Sequence, residues 1–393
     1  MTTTVPRRPR IGATRRESDS VMTLELFFDL VFVLALTQAT ALMANEPTWQ
    51  GLGKGILVLA VIWWSWVGYA WLTSVIDPEE GAVRLVIAVA MAALMVVALC
   101  IPEAFNDSAL LFAGAYAVVR IAHIGLFILG SRDEPDLRKS VLGLAVSTAI
   151  GVSLLIAASF TDGWWQAGLW VLALTLDALG PYLFGSEGWK IKPRHFAERH
   201  GLILIIALGE SIVAIGIGVE GLELTTGIVV AAALGVFLSF ALWWMYFDIV
   251  ARVAERRLAT AEVGKEQNEI ARDSYSYLHF PMVASIVLMA LGMKKTLGHV
   301  DHHLELVPAT ALFGGFAVYL LAHVAFRWRN VHRFSTQRLV VAILSVALIP
   351  LALEITALAS LAILLAVAAS LITYETIRFR EVRGRLRREL AAH

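Results

Sequence analysis

Polar positions break this chain into apolar runs of about 17–23 residues, separated by short charged stretches. A helix of that length spans ~30 Å of hydrocarbon, and a segment in lipid must satisfy its backbone hydrogen bonds internally. The runs therefore predict an all-α, polytopic integral membrane protein with about twelve transmembrane helices. They fall at 24–43, 55–74, 83–101, 109–130, 141–159, 164–184, 199–218, 227–249, 276–293, 307–326, 338–353 and 357–376. The last two are the least sharply divided. Leu339 to Tyr374 is almost continuously apolar, and Pro350 with Glu354 marks either a tight hairpin or the kink of one long helix.

Composition agrees with the pattern. Hydrophobic residues make up 58% of the chain and charged residues 16%, against roughly 45–50% and 25% in a soluble domain. The distribution of charge adds an orientation. Twelve spans put all but four of the 32 Lys and Arg residues on the N-terminal side; the exceptions are Lys54, Lys294 and Lys295 opposite, and Arg120 within a span. The positive-inside bias then places both termini in the cytoplasm and the protein in the cytoplasmic membrane. No small-residue cleavage site follows the arginine-rich start, so the first run reads as a retained span. A single cysteine, Cys100, excludes an intramolecular disulfide and a cysteine metal site.

The two halves resemble one another in order. Tyr116-Ala-Val-Val-Arg-Ile-Ala-His123 of span four parallels Phe316-Ala-Val-Tyr-Leu-Leu-Ala-His323 of span ten. Leu174-Thr-Leu-Asp177 parallels Ile372-Thr-Tyr-Glu375, Met91-Ala-Ala-Leu parallels Met282-Val-Ala-Ser, and Trp63-Trp64 parallels Trp243-Trp244. The expectation is two parallel six-helix repeats, 23–185 and 186–378, between basic cytoplasmic tails 1–22 and 379–393. A pseudo-two-fold along the membrane normal would relate them, with a site at their interface. The same alignment sets Glu25 opposite Glu198 and Gln38 opposite Ser211, making spans one and seven the paired helices at that interface.

Ionisable groups within spans carry the chemistry, since each costs ~2.5–3.5 kcal/mol at a helix centre. They are Glu25, Asp29, Arg120, His123, Asp177, Glu210, His323 and Glu375. Helix rise puts Arg120 mid-span and Glu210 roughly 16 Å from the cytoplasmic end of its helix, both near the midplane. Arg120 is within depth of Asp177 or Glu210. One Arg cannot neutralise Asp177, Glu210 and Asp29 together, so at least one carboxylate is protonated, cation-bound or wet. Glycines flank Glu210 along Gly201 to Gly218 and permit close helix approach; this is the leading candidate. His123 and His323 at equivalent positions suggest a bis-histidine haem site, with hydrogen bonding to a neighbouring helix the plainer reading. His299, Asp301, His302 and His303 read as a solvated loop rather than a metal site, and the tryptophans as interface anchors or packing.

At these residues the chain resembles the bacterial low temperature requirement A family. The carrying motifs are Glu25-Leu-Phe-Phe-Asp-Leu-Val-Phe-Val33 leading to Thr37-Gln38, His195-Phe-Ala-Glu-Arg-His-Gly-Leu-Ile203 leading to Ala207-Leu-Gly-Glu-Ser211, and Trp243-Trp-Met-Tyr-Phe-Asp248. The resemblance covers roughly residues 20 to 375. It implies a polytopic membrane protein linked by name to growth in the cold, and places Glu25, Asp29, Glu198, Arg199, His200 and Glu210 in recurring motifs.

The leading functional expectation is a secondary transporter or ion-translocating protein, with Glu210, Asp177 and Asp29 on the ion path and Arg120 as counter-charge. Membrane lipids, protons or small cations and a solute are its expected partners. The loop Asp77-Pro-Glu-Glu-Gly-Ala-Val-Arg84 lacks the glycine-and-arginine signature of the major facilitator class, so layout alone is analogy. An intramembrane enzyme or redox protein would use His123 and His323, or Glu198-Arg199-His200; no nucleophile motif, paired metal spacing or phosphate loop accompanies them. A membrane-state sensor would need an output domain that the short tails do not supply. The basic C-tail reads as lying on anionic lipid rather than binding nucleic acid. No cofactor is expected.

Overall fold

The computed structural model describes residues 16, 18–184, 188–381 and 383–384. The described residues form helices α1 (Thr23–Asn45), α2 (Trp49–Val75), α3 (Gly81–Cys100), α4 (Ala109–Gly130), α5 (Pro135–Ala158) and α6 (Gly163–Leu183). These are followed by α7 (Pro193–Gly218), α8 (Thr226–Phe247), α9 (Val250–Ala259), α10 (Lys265–Ile270), α11 (His279–Gly298), α12 (Leu306–Ala309) and α13 (Gly315–Val331). Last come α14 (Thr336–Ala347), α15 (Ile349–Ala352) and α16 (Ala357–Arg378). The loop boundary at 185–187, most of the basic tails, and the tail arginines Arg7 to Arg15 and Arg385 to Arg388 lie outside the described residues.

Local chemistry starts several of these helices. Thr48, Thr225 and Thr356 cap α2, α8 and α16 by accepting from the amides of Gly51, Ile228 and Ala359. Pro135 and Pro193 stand in the first turns of α5 and α7, where a missing amide costs nothing. Ten helical segments among the described residues are long and apolar enough to cross a membrane. The chain is thus an all-α polytopic membrane protein.

Two of the twelve expected spans differ. Tryptophans, Gln166 and Asp177 lower the mean hydropathy of α6 below that of the ten. The expected 338–353 span is broken: α14 has 12 residues, α15 starts afresh with Pro350 in its first turn, and a turn separates it from α16. Residues 338–376 are therefore separate helices rather than one kinked rod, because Pro350 has no amide to donate. The expected span 276–293 is in turn longer, since α10 and α11 are joined by a π-helical turn, Ala271–Tyr277. Trp63 and Trp71 of α2 donate to the Ser276 carbonyl and hydroxyl there, at 2.7 and 2.8 Å.

Polarity is distributed inside-out relative to a soluble bundle. On α1, Glu25 and Asp29 are buried while Leu26, Phe27 and Leu30 face outward. On α7, Arg199, His200 and Glu210 are buried while Ile205, Ile212 and Val213 are exposed. Burying the polar atoms against protein and offering apolar side chains to hydrocarbon is the arrangement lipid selects. Helices α1, α7 and α11 pack on one another.

Candidate functional site

Contacts along the α1–α7 seam advance together on both helices: Glu25 meets His195, Asp29 meets Arg199, and Thr37 meets Glu210. The two helices therefore run parallel, beginning at the same face.

The end of the seam at that face is a dense ion cluster. Glu25 takes Arg16 Nη1 at 3.0 Å, His195 Nε2 at 2.8 Å and Arg199 Nη1 at 3.2 Å. Arg199 Nη2 reaches Asp29 Oδ1 at 2.7 Å, and Trp66 Nε1 donates to the same oxygen at 3.0 Å. Helical spacing explains it: Glu25 and Asp29 are one turn apart on α1, as are His195 and Arg199 on α7, so two i,i+4 faces interlock. Two guanidiniums cancel two carboxylates.

This cluster adds one residue and corrects one expectation. Arg16, from the segment 1–22, folds onto Glu25 and donates to the Thr73 carbonyl at 2.9 Å. Asp29 does not compete for Arg120, because Arg199, which hydropathy set at a span end, is fully buried beside it. Glu198 separates from its neighbours in the motif. It is exposed while Arg199 and His200, further round the helix, point inward. His200 donates from Nδ1 to the Phe196 carbonyl, and its ring sits among Trp66, Phe196, Tyr275 and His279.

Arg120 does meet Asp177. Its Nη2 lies 2.9 Å from the carboxylate, with Thr148 Oγ1 bridging at 2.6 and 3.1 Å, so α4, α5 and α6 are pinned together. Glu375 has a counterpart that sequence reading missed. Arg338 at the start of α14 grips it through Nε and Nη2, both at 2.9 Å, in the two-pronged geometry that a guanidinium favours. No signal in an arginine at a helix start could have revealed that pairing.

Glu210 is different. It is 1% exposed, where α1, α7 and α11 meet. Thr37 hydrogen-bonds its Oε2, the Thr40 hydroxyl also acts on the carboxyl, and among the described residues no cation lies within ion-pair distance. Lys294 of α11 acts on it electrostatically from further off. Next to it, Ser211 is buried with its hydroxyl unpartnered among the described residues, and Gln38 is half-buried on α1.

The histidines at matching positions have separate surroundings. His123 packs between Tyr69 and Phe127 and lies so close to α2 that a Cβ on Gly68 would stand 2.9 Å from its Cε1. His323 donates from Nδ1 to the Tyr319 carbonyl and faces Tyr246. His299, Asp301, His302 and His303 are exposed.

Fold and seam together define a multi-pass helical membrane protein with charged groups held in its interior. The chain belongs to the bacterial low temperature requirement A protein family, which it matches over residues 20–373. It is 30% identical over 287 residues to an uncharacterized protein of Rhizobium meliloti (strain 1021), an overlap of 70% of this chain and 69% of that relative. No solved structure matches the chain.

Proposed function

We propose that this protein is a secondary transporter or ion-translocating protein of the cytoplasmic membrane, with both termini cytoplasmic and Glu210 as the group that takes up and releases the coupling proton or cation. One observation carries this reading. Among the described residues the buried carboxylates are Glu25, Asp29, Asp177, Glu210 and Glu375, and only Glu210 has no arginine against it. A carboxylate in such surroundings holds a proton or a cation to offset its desolvation.

Thr37 supplies a way to register the change. Its hydroxyl lies 3.0 Å from the Val33 carbonyl and also against Glu210, yet it has one hydrogen to donate. With Glu210 protonated, the acid donates to Thr37 Oγ1 and Thr37 keeps its bond to Val33. With Glu210 ionised, Thr37 must turn its hydrogen to the carboxylate. Proton transfer thus reverses the hydrogen bond between α1 and α7 and makes or breaks one within α1.

Two six-helix halves fit the same reading. Thr37 and Glu210 occupy equivalent positions in the alignment that sets Gln38 opposite Ser211, and a two-fold axis between α1 and α7 would bring equivalent positions together. Two cavities further support it: one is lined by Trp64 and His123, the other by Trp244 and His323, residues that the two halves share by alignment. In this scheme Asp29, Asp177 and Arg120 hold the halves in shape around the ion path.

The test is reconstitution in liposomes, with currents and a pH-sensitive dye read under imposed proton, sodium and potassium gradients. Wild type should give a gradient-dependent response that Glu210→Gln abolishes. No response from wild type under any gradient overturns the reading, as does an undiminished response from the variant.

A further inference from the structure

The larger of the two cavities, about 380 Å³, lies between α8, α9, α13, α14 and α16. Four arginines line it, and two are spoken for: Arg338 by Glu375 and Arg383 by Asp248. Arg327 and Arg333 have no ion pair or hydrogen bond among the described residues. Arg327 is repelled by Arg338 and Arg333 and attracted by Glu375, a carboxylate that Arg338 already engages. The lining therefore sets four arginines against two carboxylates, Glu375 and Asp248, with Arg327 half-buried in the wall and Arg333 exposed at its rim.

The same space contains two buried acceptors without donors. His323, 1% exposed, commits its Nδ1 hydrogen to the Tyr319 carbonyl, so its unpartnered Nε2 presents a lone pair. Asn330, 4% exposed, donates through Nδ2 to the Phe326 carbonyl, so its unpartnered Oδ1 is an acceptor too. Ile372 and Phe379 add apolar surface to the wall. An occupant complementary to this lining carries an anion for the guanidiniums and hydroxyl or ammonium hydrogens for the two acceptors.

We infer that this cavity binds a phosphate ester bearing hydroxyl or ammonium groups, its phosphate held by Arg327 and Arg333 and its hydrogen-bond donors by His323 and Asn330. Phosphate esters satisfy both halves of the requirement at once, and arginine pairs favour their geometry. The chemistry occurs as the headgroup of a glycerophospholipid and as a free sugar or glycerol phosphate. Basic pockets between transmembrane helices are suited to the former. The site is separate from Glu210 and does not depend on the transport reading.

The full chain, purified in mild detergent, distinguishes the sources in two arms. In one, native mass spectrometry follows retention of phosphatidylglycerol; in the other, a thermal-shift titration uses glycerol 3-phosphate, with inorganic phosphate alongside. Arg327→Gln/Arg333→Gln is compared with Arg132→Gln/Arg138→Gln, which removes equal charge elsewhere. The first pair should weaken binding about tenfold per arginine, and the control pair should not. Selective loss in the lipid arm assigns a headgroup, and selective loss in the soluble arm assigns a free ester. Equal behaviour of the two variants in both arms, or a full response to inorganic phosphate alone, overturns the proposal.

Discussion

The α1–α7 seam contains two acidic sites that share helices, burial and apolar surroundings but differ in what faces the carboxylate. At the end where both helices begin, Glu25 and Asp29 meet Arg16, Arg199 and His195. Roughly 12 Å further along α1, counting eight residues from Asp29 to Thr37, Glu210 meets a threonine hydroxyl. Charge in the first site is cancelled locally, so its groups fasten the helices in register and have little to gain from another cation. In the second site no guanidinium is present among the described residues, and under the proposed function the occupant that offsets the carboxylate comes and goes from outside the protein. Burial alone does not separate a fastener from a working group; the partner does.

The comparison can be broken by substitution, starting at the fastened end. Arg199→Met should lower stability by about 3–5 kcal/mol, because it leaves Asp29 buried without its cation. Size-exclusion profiles after graded heating would show it. Arg16→Ala removes one of the three side chains on Glu25, which also accepts from the Met22 amide, and should cost about 1.5–3 kcal/mol by the same assay. Thr37→Val removes the hydroxyl between Val33 and Glu210, at about 1 kcal/mol, and should slow gradient-driven flux more than it lowers the melting point. Smallest in stability is Glu210→Gln. An amide in place of an acid with no arginine should shift the melting point by less than the equivalent of about 0.5 kcal/mol while abolishing flux. A Glu210→Gln protein that melts as early as Arg199→Met would make Glu210 another fastener and erase the distinction.

Much of the fold was legible along the chain. The ends of α1, α4 and α16 fall within about two residues of the expected spans, since a lipid-crossing helix must show itself as a long apolar run. Glu210 stood out for the same reason, as a charge where charge is expensive. Legibility failed where a residue could be read either way. Arg199 and Arg338 near helix starts look like ordinary flanking charges, and Arg16 looks like tail, yet each is buried against a carboxylate. Pro350 and Glu354 announced a break without saying whether the rod bends or ends.

By itself, the sequence determined that the protein is a helical bundle for lipid, which of its acids would be costly, and that Glu210 lies in an apolar run between glycines. These follow from local rules: hydropathy over one helix length and rise per residue. Only the tertiary structure decided which acids are neutralised. The partners of Glu25 and Asp29 on α7 lie 170 residues away in the chain, and a slip of one helical turn in register would set Asp29 opposite Ile203 instead of Arg199. Ion pairing is set by side-chain distances of about 3 Å between elements whose relative placement no local pattern encodes.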